Sequence, residues 1–278
     1  MTRESVAPRM AVLLCTHNGE RFLGEQLDSL IAQSLPPCRV IVHDWGSTDS
    51  TVRVIESRRG RWPSSCILDV VRHDVAPGAC RSFLSALKAV LESYGDYDYL
   101  LFCDQDDVWH PSKLAAFAQL ARSNPGVDVI HCDVALISED GRQLASTYVG
   151  RGGAVGRPMD IDHPSTFFVN TMSGMSMAVS RRLLLRGLPA WNMDAWVMHD
   201  WAVVIVAHIL RAKSAFVPQS LVDYRQHGAN VVGSLQSARS ESALGTVIRA
   251  RAYVRAVQRQ YQACVELQAK LNGARPMH

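Results

Sequence analysis

The segment Tyr99-Leu-Leu-Phe-Cys-Asp-Gln-Asp-Asp-Val-Trp109 joins a short apolar run to a cluster of acids. The run from Tyr99 to Cys103 predicts a buried β-strand, because it is too short and too aromatic for a helix. Three carboxylates follow at once, at Asp104, Asp106 and Asp107. In an open α/β sheet, ligands bind in the crevice at the carboxyl ends of the strands. The segment therefore predicts a binding site at the end of a central strand.

The three carboxylates predict a metal site. Clustered negative charges repel one another unless a cation lies between them, and oxygen ligands favour hard divalent cations such as Mg²⁺ or Mn²⁺. The alternative is a solvated acidic turn, which an apolar strand running straight into the acids does not favour. A calcium loop of the EF-hand type is excluded, because Trp109 stands at its sixth position and Ala115 at its twelfth.

Composition sets wider bounds. The 278 residues are 47% hydrophobic, enough for one large α/β core or two small ones. A net charge of +3 argues against nucleic acid as the main partner. Seven scattered cysteines without a C-x-x-C pair predict free core thiols instead of disulfides or a zinc site. The longest apolar stretch, Trp201 to Leu210, is too short to span a bilayer, and no signal-peptide pattern is present. We therefore expect a cytoplasmic protein.

Strands and helices alternate along the first half of the chain, which predicts a parallel sheet with right-handed crossovers. Strands are predicted at 10–15, 40–42, 67–71 and 99–103, with helices from residue 22, at 51–58 and at 81–91. The second half is less regular. There we predict strands at 127–132, 175–179 and 214–217, helices at 181–188 and 198–210, a glycine-rich loop at 151–157, and a long amphipathic helix at 242–271.

Five blocks, in this order, resemble the family 2 inverting glycosyltransferases of GT-A fold. They are Thr16-His17-Asn18-Gly19, Asp44 to Asp49, Asp104 to Trp109, His199-Asp200-Trp201, and Tyr224 to Asn230. The last three are most similar to bacterial rhamnosyltransferase-type members that build cell-surface polysaccharide. The chain departs from many relatives at Trp45, where they carry a second acid, and this difference bears on contacts to the nucleobase.

The resemblance implies a GT-A domain over residues 8–235, with a Rossmann-like, mostly parallel central sheet flanked by helices. Residues 8–107 would form the half that binds the nucleotide-sugar, and residues 108–235 the half that binds the acceptor. Residues 240–275 would add an amphipathic helical tail. The implied reaction moves a sugar, with inversion, from a nucleotide diphosphate to a hydroxyl of a cell-surface polysaccharide or lipid-linked saccharide. The implied donor is a dTDP- or UDP-sugar, with dTDP-L-rhamnose favoured, and the implied cofactor is Mg²⁺ or Mn²⁺.

Carried over residue by residue, the resemblance also implies a set of donor-side residues. Asp44 would accept the imide N–H of uracil or thymine, although from the residues alone it could equally cap the next turn. Asp107 is either a third acid of the site or a cap for the following helix. The implied metal ligands are Asp104, Asp106 and His227. The implied nucleotide-sugar-binding residues are Thr16, Asn18, Glu20, Asp44, Arg81, Asp104, Gln105 and Arg225.

On the acceptor side, the resemblance makes Asp200 the base that deprotonates the acceptor hydroxyl. Without the resemblance, an Asp before an apolar helix is usually an N-cap. The implied acceptor-binding residues are Trp109, Gly174, His199 and Trp201. Tryptophans in such positions are more often part of the core or of a wall than platforms for sugars.

Two other functions fit part of the sequence. Asp104-x-Asp106 also matches the aspartyl-nucleophile motif of haloacid-dehalogenase-like phosphatases, but that class expects the motif on its first strand, and three predicted strands precede it here. A non-catalytic nucleotide-sugar- or carbohydrate-binding module would have lost its acids, whereas Asp106 and Asp200 are both present.

The tail carries a basic stripe beside its apolar one. The basic residues are Arg249, Arg251, Arg255 and Arg259. A basic amphipathic helix suits peripheral attachment to the inner face of the cytoplasmic membrane, where lipid-linked acceptors would be found. The alternatives are packing on its own domain and a homodimer contact.

Overall fold

The computed structural model describes residues 7–145, 161, 164–170, 172–191, 194–228 and 243–273, with side chains of the last helix described from 251 to 270. The glycine-rich loop predicted at 151–157 lies outside these residues. So do the last two residues of the fifth sequence block, Ala229 and Asn230.

The first half of the chain is a regular succession of parallel strands and helices. Strand β1 pairs in parallel with β2 and β4, and β2 pairs in parallel with β3. The carboxyl ends of these strands therefore lie at one edge of the sheet. The elements are β1 (Met10–Thr16), α1 (Leu23–Ile31), β2 (Arg39–Trp45), α2 (Thr51–Glu56), a 3₁₀ turn (Arg59–Arg61), β3 (Ile67–His73), α3 (Ala79–Ser93) and β4 (Tyr99–Cys103).

The second half extends the same sheet with mixed pairing. Its elements are β5 (Val108–Trp109), α4 (Lys113–Ser123), β6 (Val129–Ser138), β7 (Gln143–Ala145), β8 (Met177–Ser180), α5 (Arg181–Arg186), α6 (His199–Ile209), β9 (Ser214–Gln226) and α7 (Ala243–Gly273), with 3₁₀ turns at Pro164–Phe167, Gly174–Ser176 and Leu188–Ala190. The strand order is β3-β2-β1-β4-β8-β6-β9-β5, with β7 on β6. Strand β8 is antiparallel to both of its neighbours, whereas β6 and β9 are parallel.

The predicted α/β class with a mostly parallel sheet is confirmed, since parallel ladders hold most of the paired residues. Strands β5 and β7 were not predicted, and two strands run well past their predicted ends, β6 to Ser138 and β9 to Gln226. Strand β9 continues past Pro218 to Gln226 and so carries part of the fifth sequence block, and irregular register with β6 accommodates the proline. Strand β5, Val108–Trp109, has only two residues and exists because it pairs with the distant β9.

Side chains on the two faces of the sheet form two cores. In β1, Ala11 and Leu13 join the core under α3, α5 and α6, whereas Val12 and Leu14 join the core under α1 and α4. This alternation follows from the two-residue period of a strand.

Helix α7 belongs to the core under α6. Its Val257, Cys264 and Leu267 are buried there, and Gln260 Oε1 accepts the backbone N–H of Val197 at 2.9 Å. On this face of α7, the structure therefore agrees with the alternative that the tail packs on its own domain. Other members of the predicted apolar stripe, Val254, Tyr261 and Val265, are exposed. The predicted stripe residues Leu244, Val247, Ile248 and Leu271 lie outside the described side chains.

Within the described ranges, no helix combines the length and the apolar character that a membrane crossing requires. All seven cysteines are free thiols. Burial raises the pKa of Cys66, Cys80 and Cys264 to about 12.

Candidate active site

Polar side chains at the ends of β1 and β2 bind each other's loops. Asn18, whose φ of 47° is in the left-handed region, accepts the N–H of Thr48 through its side-chain oxygen at 2.9 Å. Glu20 accepts the N–H of Ser50 at 2.8 Å. The structure therefore brings the predicted donor-side residues Asn18 and Glu20 together, and their recorded contacts hold two loops in register.

Asp44 is buried at the end of β2, where one oxygen accepts the hydroxyl of Ser47 at 2.5 Å and the other accepts the N–H of Ser47 at 3.3 Å. These contacts are those of a residue that caps the following turn, which was the alternative to binding the nucleobase. Each carboxylate oxygen has two lone pairs, so these bonds leave acceptor capacity for a ligand. Beside it, Trp45 stacks on His73 with ring centroids 3.7 Å apart.

Gln105 connects the first loop to the acidic segment. Its side-chain oxygen accepts the Thr16 hydroxyl at 2.7 Å and the His17 N–H at 2.9 Å, and its amide donates to the His17 carbonyl at 3.3 Å. A Cβ on Gly19 would collide with this oxygen, so the glycine is needed for the close approach. Thr16 and Gln105, both predicted donor-side residues, are thus in direct contact.

The acids after β4 are in an environment that disfavours their charge. Burial, followed by the negative charges of Asp106 and Asp200, raises the pKa of Asp104 to about 8. Burial also raises the pKa of Asp107 well above its ordinary value. A bound cation would relieve this crowding, so the electrostatics fit a divalent metal.

Asp107 does not cap the following helix, contrary to one of the two predicted alternatives. Helix α4 begins at Lys113 with Ser112 in the N-cap position and no side-chain cap bond. Asp107 is fully buried and accepts the N–H of Arg225 at 3.2 Å, so it holds β9 against the acidic segment.

Two of the three predicted metal ligands are in contact. His227 Nε2 lies 2.8 Å from Asp106 Oδ2, and the imidazole packs against Phe22 with centroids 5.0 Å apart. Over the part of the chain that the structure covers, no group of three or more His, Cys, Asp or Glu side chains is arranged to hold a metal ion. Asp106 and His227 are adjacent, but Asp104 does not join them in a three-ligand arrangement, so only the donor types, carboxylate and imidazole, suit Mg²⁺ or Mn²⁺.

The structure does not favour the predicted pairing of Arg225 with phosphate. Its guanidinium is buried, donating to the Asp106 carbonyl at 2.9 Å, the Glu139 carbonyl at 3.1 Å and the Glu25 carboxylate at 2.5 Å. It also lies over the Phe22 ring. These contacts join α1, the acidic segment and the end of β6 from three sides.

Arg81 has the opposite character. Its side chain is 62% exposed and pairs with the still more exposed Asp194 at 3.2 Å. Exposed pairs contribute only about 0–1 kcal/mol, so a ligand could draw this guanidinium away at little expense.

Asp200 is buried in the first turn of α6. Its Oδ2 accepts the N–H of Gly174 at 3.1 Å, and its Oδ1 accepts the N–H of Trp201 at 2.7 Å. The N-cap position belongs to Met198, which corrects the alternative that Asp200 is the N-cap. The carboxylate is thus fixed by a turn from another part of the chain.

His199 and Gly174 touch within the core. His199 is stacked on Phe83 at 3.9 Å, both ring nitrogens lack a hydrogen-bond partner within the described part of the chain, and burial lowers its pKa. A Cβ on Gly174 would lie 2.7 Å from His199 Nε2. The predicted acceptor-binding role of His199 is therefore not favoured, because its ring faces the core.

Trp109 and Trp201, the two tryptophans predicted to contact the acceptor, are also buried in the core. Trp109 is 1% and Trp201 2% exposed, and Trp201 donates from its indole to the Thr166 carbonyl at 2.6 Å. Neither ring offers a face to a sugar in this conformation, so the core interpretation describes both.

Sequence reasoning missed Lys113. The side chain is fully buried, its ammonium donates to the Met175 carbonyl at 2.5 Å, and the nitrogen lies 3.1 Å from the centre of the Trp109 ring. Burial lowers its pKa to about 8, although Asp107 and Asp104 act in the opposite direction. The available signal was a lysine at the first helical position, placed among apolar residues.

Comparisons with known proteins agree with this geometry. Residues 11–184 match the model of Glycosyl transferase family 2, and the chain belongs to that family. It is 25% identical over 232 residues to dTDP-rhamnosyl transferase RfbG of Shigella flexneri, an alignment that covers 80% of this chain and 74% of RfbG. It spans only 60% of an uncharacterized protein of Mycobacterium tuberculosis to which it is also 25% identical, over 80% of its own length.

Two solved structures share the fold. Staphylococcus aureus TarS 1-349 in complex with UDP-GlcNAc superposes with a TM-score of 0.62 at 17% identity, covering 97% of this chain and 68% of that one. Mannosyltransferase PcManGT from Pyrobaculum calidifontis, in complex with GDP-Man and Mn²⁺, gives a TM-score of 0.55 at 18% identity over 98% of this chain and 77% of that one. The GT-A fold is confirmed, and the phosphatase alternative loses its support.

Proposed function

We propose that this chain transfers a sugar, with inversion and with Mg²⁺ or Mn²⁺, from a nucleotide diphosphate to a hydroxyl of a cell-surface polysaccharide or lipid-linked saccharide. One observation carries the proposal. Strand β8 runs antiparallel to β4, so the Gly174–Ser176 turn that precedes β8 lies beside the end of β4, where Asp104 follows, and the Gly174 N–H of that turn binds Asp200 at 3.1 Å. A candidate donor-side acid and a candidate base are therefore close enough to interact, as a single displacement between donor and acceptor requires.

Each step of the transfer has a candidate residue. Asp44 would accept the imide N–H of the base, beside the loops that Asn18 and Glu20 hold together. Asp104, Asp106 and His227 would hold the cation, which when bound neutralises charge on the diphosphate. Asp200 would take the proton of the acceptor hydroxyl as the new bond forms. The N–H of Gly174, bonded to Asp200, keeps one oxygen of the base oriented.

For the donor we propose dTDP-L-rhamnose, with UDP-sugars as the next candidates. The likeness to RfbG supports the sugar. The buried Asp44 is compatible with this nucleotide, because an ionised carboxylate accepts the imide N–H of thymine or uracil. It would also accept the N1–H of guanine, so the choice of base in this proposal rests on the likeness to RfbG.

Calorimetry with dTDP-L-rhamnose, UDP-GlcNAc and GDP-Man, each in the presence of Mn²⁺, tests the donor. We expect dTDP-L-rhamnose to bind most tightly and to be the only one of the three whose sugar is transferred. Asp44→Asn should weaken binding of dTDP-L-rhamnose, and Asp140→Asn, at an exposed acid that pairs with Arg142, serves as the control with the same change of charge. Tighter binding of GDP-Man than of dTDP-L-rhamnose by the wild-type chain would overturn the assignment.

We also propose that residues 8–107 bind the nucleotide-sugar and residues 108–235 the acceptor. The exposed residues of α7 support a further role for the 240–275 tail at the inner face of the membrane. Val254, Tyr261 and Val265 form an exposed apolar stripe, and Phe168 and Tyr261 line a cleft of about 660 Å³. The exposed Arg251, Arg255 and Arg259 lie beside the stripe, and this pattern suits anionic lipid.

Because α7 packs on its own core, substitution tests the membrane role better than truncation does. We expect Tyr261→Ser with Val265→Ser to weaken sedimentation with phosphatidylserine vesicles by about tenfold or more. The control is Ile67→Ser with Leu144→Ser, two exposed apolar residues elsewhere. Equal vesicle binding by wild type and the α7 variant would remove the claim, and a dimer seen only in wild type would assign the stripe to a second copy.

A further inference from the structure

One positive charge is enclosed in the core behind the acids. Lys113 has no exposed surface, and its ammonium is held between the Met175 carbonyl, at 2.5 Å, and the Trp109 ring, whose centre is 3.1 Å away. Enclosing an ammonium is unfavourable unless it is paired and hydrogen-bonded. A leucine would fill the same space without that penalty, so a core-filling function does not explain a lysine here.

The carbonyl that Lys113 holds belongs to the turn that holds Asp200. Met175 is the central residue of the 3₁₀ turn Gly174–Ser176, and the preceding N–H, that of Gly174, donates to Asp200 Oδ2 at 3.1 Å. The ammonium and the carboxylate are therefore connected through one residue of backbone. A side chain at position 174 would collide with His199, since its Cβ would lie 2.7 Å from His199 Nε2, so the turn approaches α6 closely.

Lys113 also acts on the acids electrostatically. Its positive charge opposes the rise in the pKa of Asp104 and of Asp107 that burial causes. It comes from the start of α4, directly after the acidic segment in the chain, whereas Asp200 comes from α6. Lys113 is thus the described side chain that joins the donor-side strand end to the acceptor-side turn.

We propose that Lys113 is a positioning residue, which fixes the Gly174–Ser176 turn and through it the orientation of the Asp200 carboxylate. This inference rests on the proposed function, since it assigns to Asp200 the base of that reaction. It predicts that loss of the ammonium harms turnover far more than nucleotide binding, because Asn18 and Asp44, which would contact the base, lie at the ends of β1 and β2.

The variant Lys113→Met tests the proposal, because methionine fills the space of the lysine stem without charge or hydrogen bond. We expect kcat to fall roughly 10- to 100-fold, the usual effect of displacing a catalytic group by about 1 Å. Donor affinity should change less than about twofold, and the melting temperature should stay close to that of wild type. Lys88→Met, an exposed lysine on α3 that pairs only with Glu92, is the matched control and should leave kcat unchanged.

A double-mutant cycle identifies the residue through which Lys113 acts. In an Asp200→Asn background, Lys113→Met should lower the residual kcat by less than about twofold, because the base that it positions is already absent. The same fractional loss in both backgrounds would overturn the proposal and assign Lys113 to another step. Unchanged kcat in the single variant would overturn it as well.

Hydrogen exchange gives a readout independent of activity. Lys113→Met should speed exchange of the Gly174 amide at least tenfold relative to wild type and to Lys88→Met, and unchanged exchange would overturn the proposal. Lys113→Gln, which keeps an N–H donor, is measured beside it in case the methionine variant folds poorly. Its kcat and the protection of its Gly174 amide should both lie between those of wild type and Lys113→Met. If wild type transfers no sugar from any donor, the proposed function fails, while the exchange result still decides whether Lys113 holds the turn.

Discussion

Two regions of the molecule hold polar side chains against backbone from another part of the chain, and they do so in different ways. These regions are the loops after β1 and β2, and the turn before β8. In the first region, Asn18 and Glu20 bind the backbone of the opposite loop at a partly exposed strand edge. In the second, Asp200 and Lys113 are buried and meet through the Gly174–Ser176 turn. Open hydrogen-bonded loops can adjust to a ligand, whereas a buried carboxylate fixed from two sides has little freedom. On the proposed assignment, the donor side would be suited to binding and the acceptor side to orientation.

The largest test of this contrast is Asp106→Ala. Asp106 is next to His227 and is a proposed metal ligand, so we expect its loss to reduce transfer by at least about 10³-fold by removing stabilisation of the departing diphosphate. Transfer and donor hydrolysis are measured with Mn²⁺ and with excess chelator. Asp140→Ala, an exposed acid, is the control and should be silent. Full activity of wild type in chelator would refute the metal assignment.

Asp200→Asn tests the acceptor side alone. The change keeps the shape of the side chain and one acceptor oxygen, so it loses one of the two N–H bonds from Gly174 and Trp201 as well as the base. We expect kcat to fall roughly 10²–10⁴-fold with donor affinity nearly constant. Steady-state rates and donor titration separate the two quantities. Glu92→Gln is the control. Turnover close to wild type would leave Asp200 as a purely structural carboxylate.

Arg225 and Arg81 contrast a buried guanidinium with an exposed one. Arg225→Met leaves the carbonyls of Asp106 and Glu139 without their donor, so the free energy of unfolding should fall by about 2–3 kcal/mol. Arg81→Met breaks an exposed pair and should change it by less than about 0.5 kcal/mol. Urea unfolding measures both. A loss for Arg81→Met equal to that for Arg225→Met would contradict the contrast.

The smallest expected effect is a pH dependence on the donor side. Burial and the neighbouring His73 lower the pKa of His43 to about 4 from an ordinary 6.5. The folded state therefore binds fewer protons than the unfolded state between these pH values, and stability is lost as pH falls through that window. Between pH 7 and pH 5 we expect His43 to account for about 1–2 kcal/mol of that loss.

Urea unfolding of wild type and His43→Gln at the two pH values isolates the His43 contribution. The variant should lose less stability than wild type on acidification. Equal losses would show that His43 does not titrate as its burial demands.

The sequence was sufficient for the first half of the fold. Apolar runs at β1 to β4 are bounded by polar residues, and β4 has the predicted bounds Tyr99–Cys103. It was insufficient where pairing depends on distant partners. Strand β5 has two residues and exists through β9, while Pro218 obscured the extension of β9 to Gln226.

The same limit applies to the candidate site. Acids at a strand end suggest a site by residue type and position alone, so the sequence could single out Asp104 and Asp106 as candidates, and this stays a prediction. Burial is set by tertiary packing, so the sequence did not reveal that Trp109 and Trp201 face the core or that Arg225 is enclosed. The contact between Lys113 and Met175 joins residues far apart in the chain, and no local pattern encodes it.

The bond between Gln260 and Val197 bears on how this enzyme could be engineered. Val197 lies three residues before Asp200, so α7 is hydrogen-bonded to the segment that leads into the candidate base. A chimera that exchanges the proposed acceptor-side half but keeps the original α7 would combine a Val197 segment and an α7 that did not evolve together, and the bond between them could be lost. Recombination boundaries for altering acceptor choice should therefore be placed after α7. In that design, α7 and the segment that it contacts come from the same parent protein.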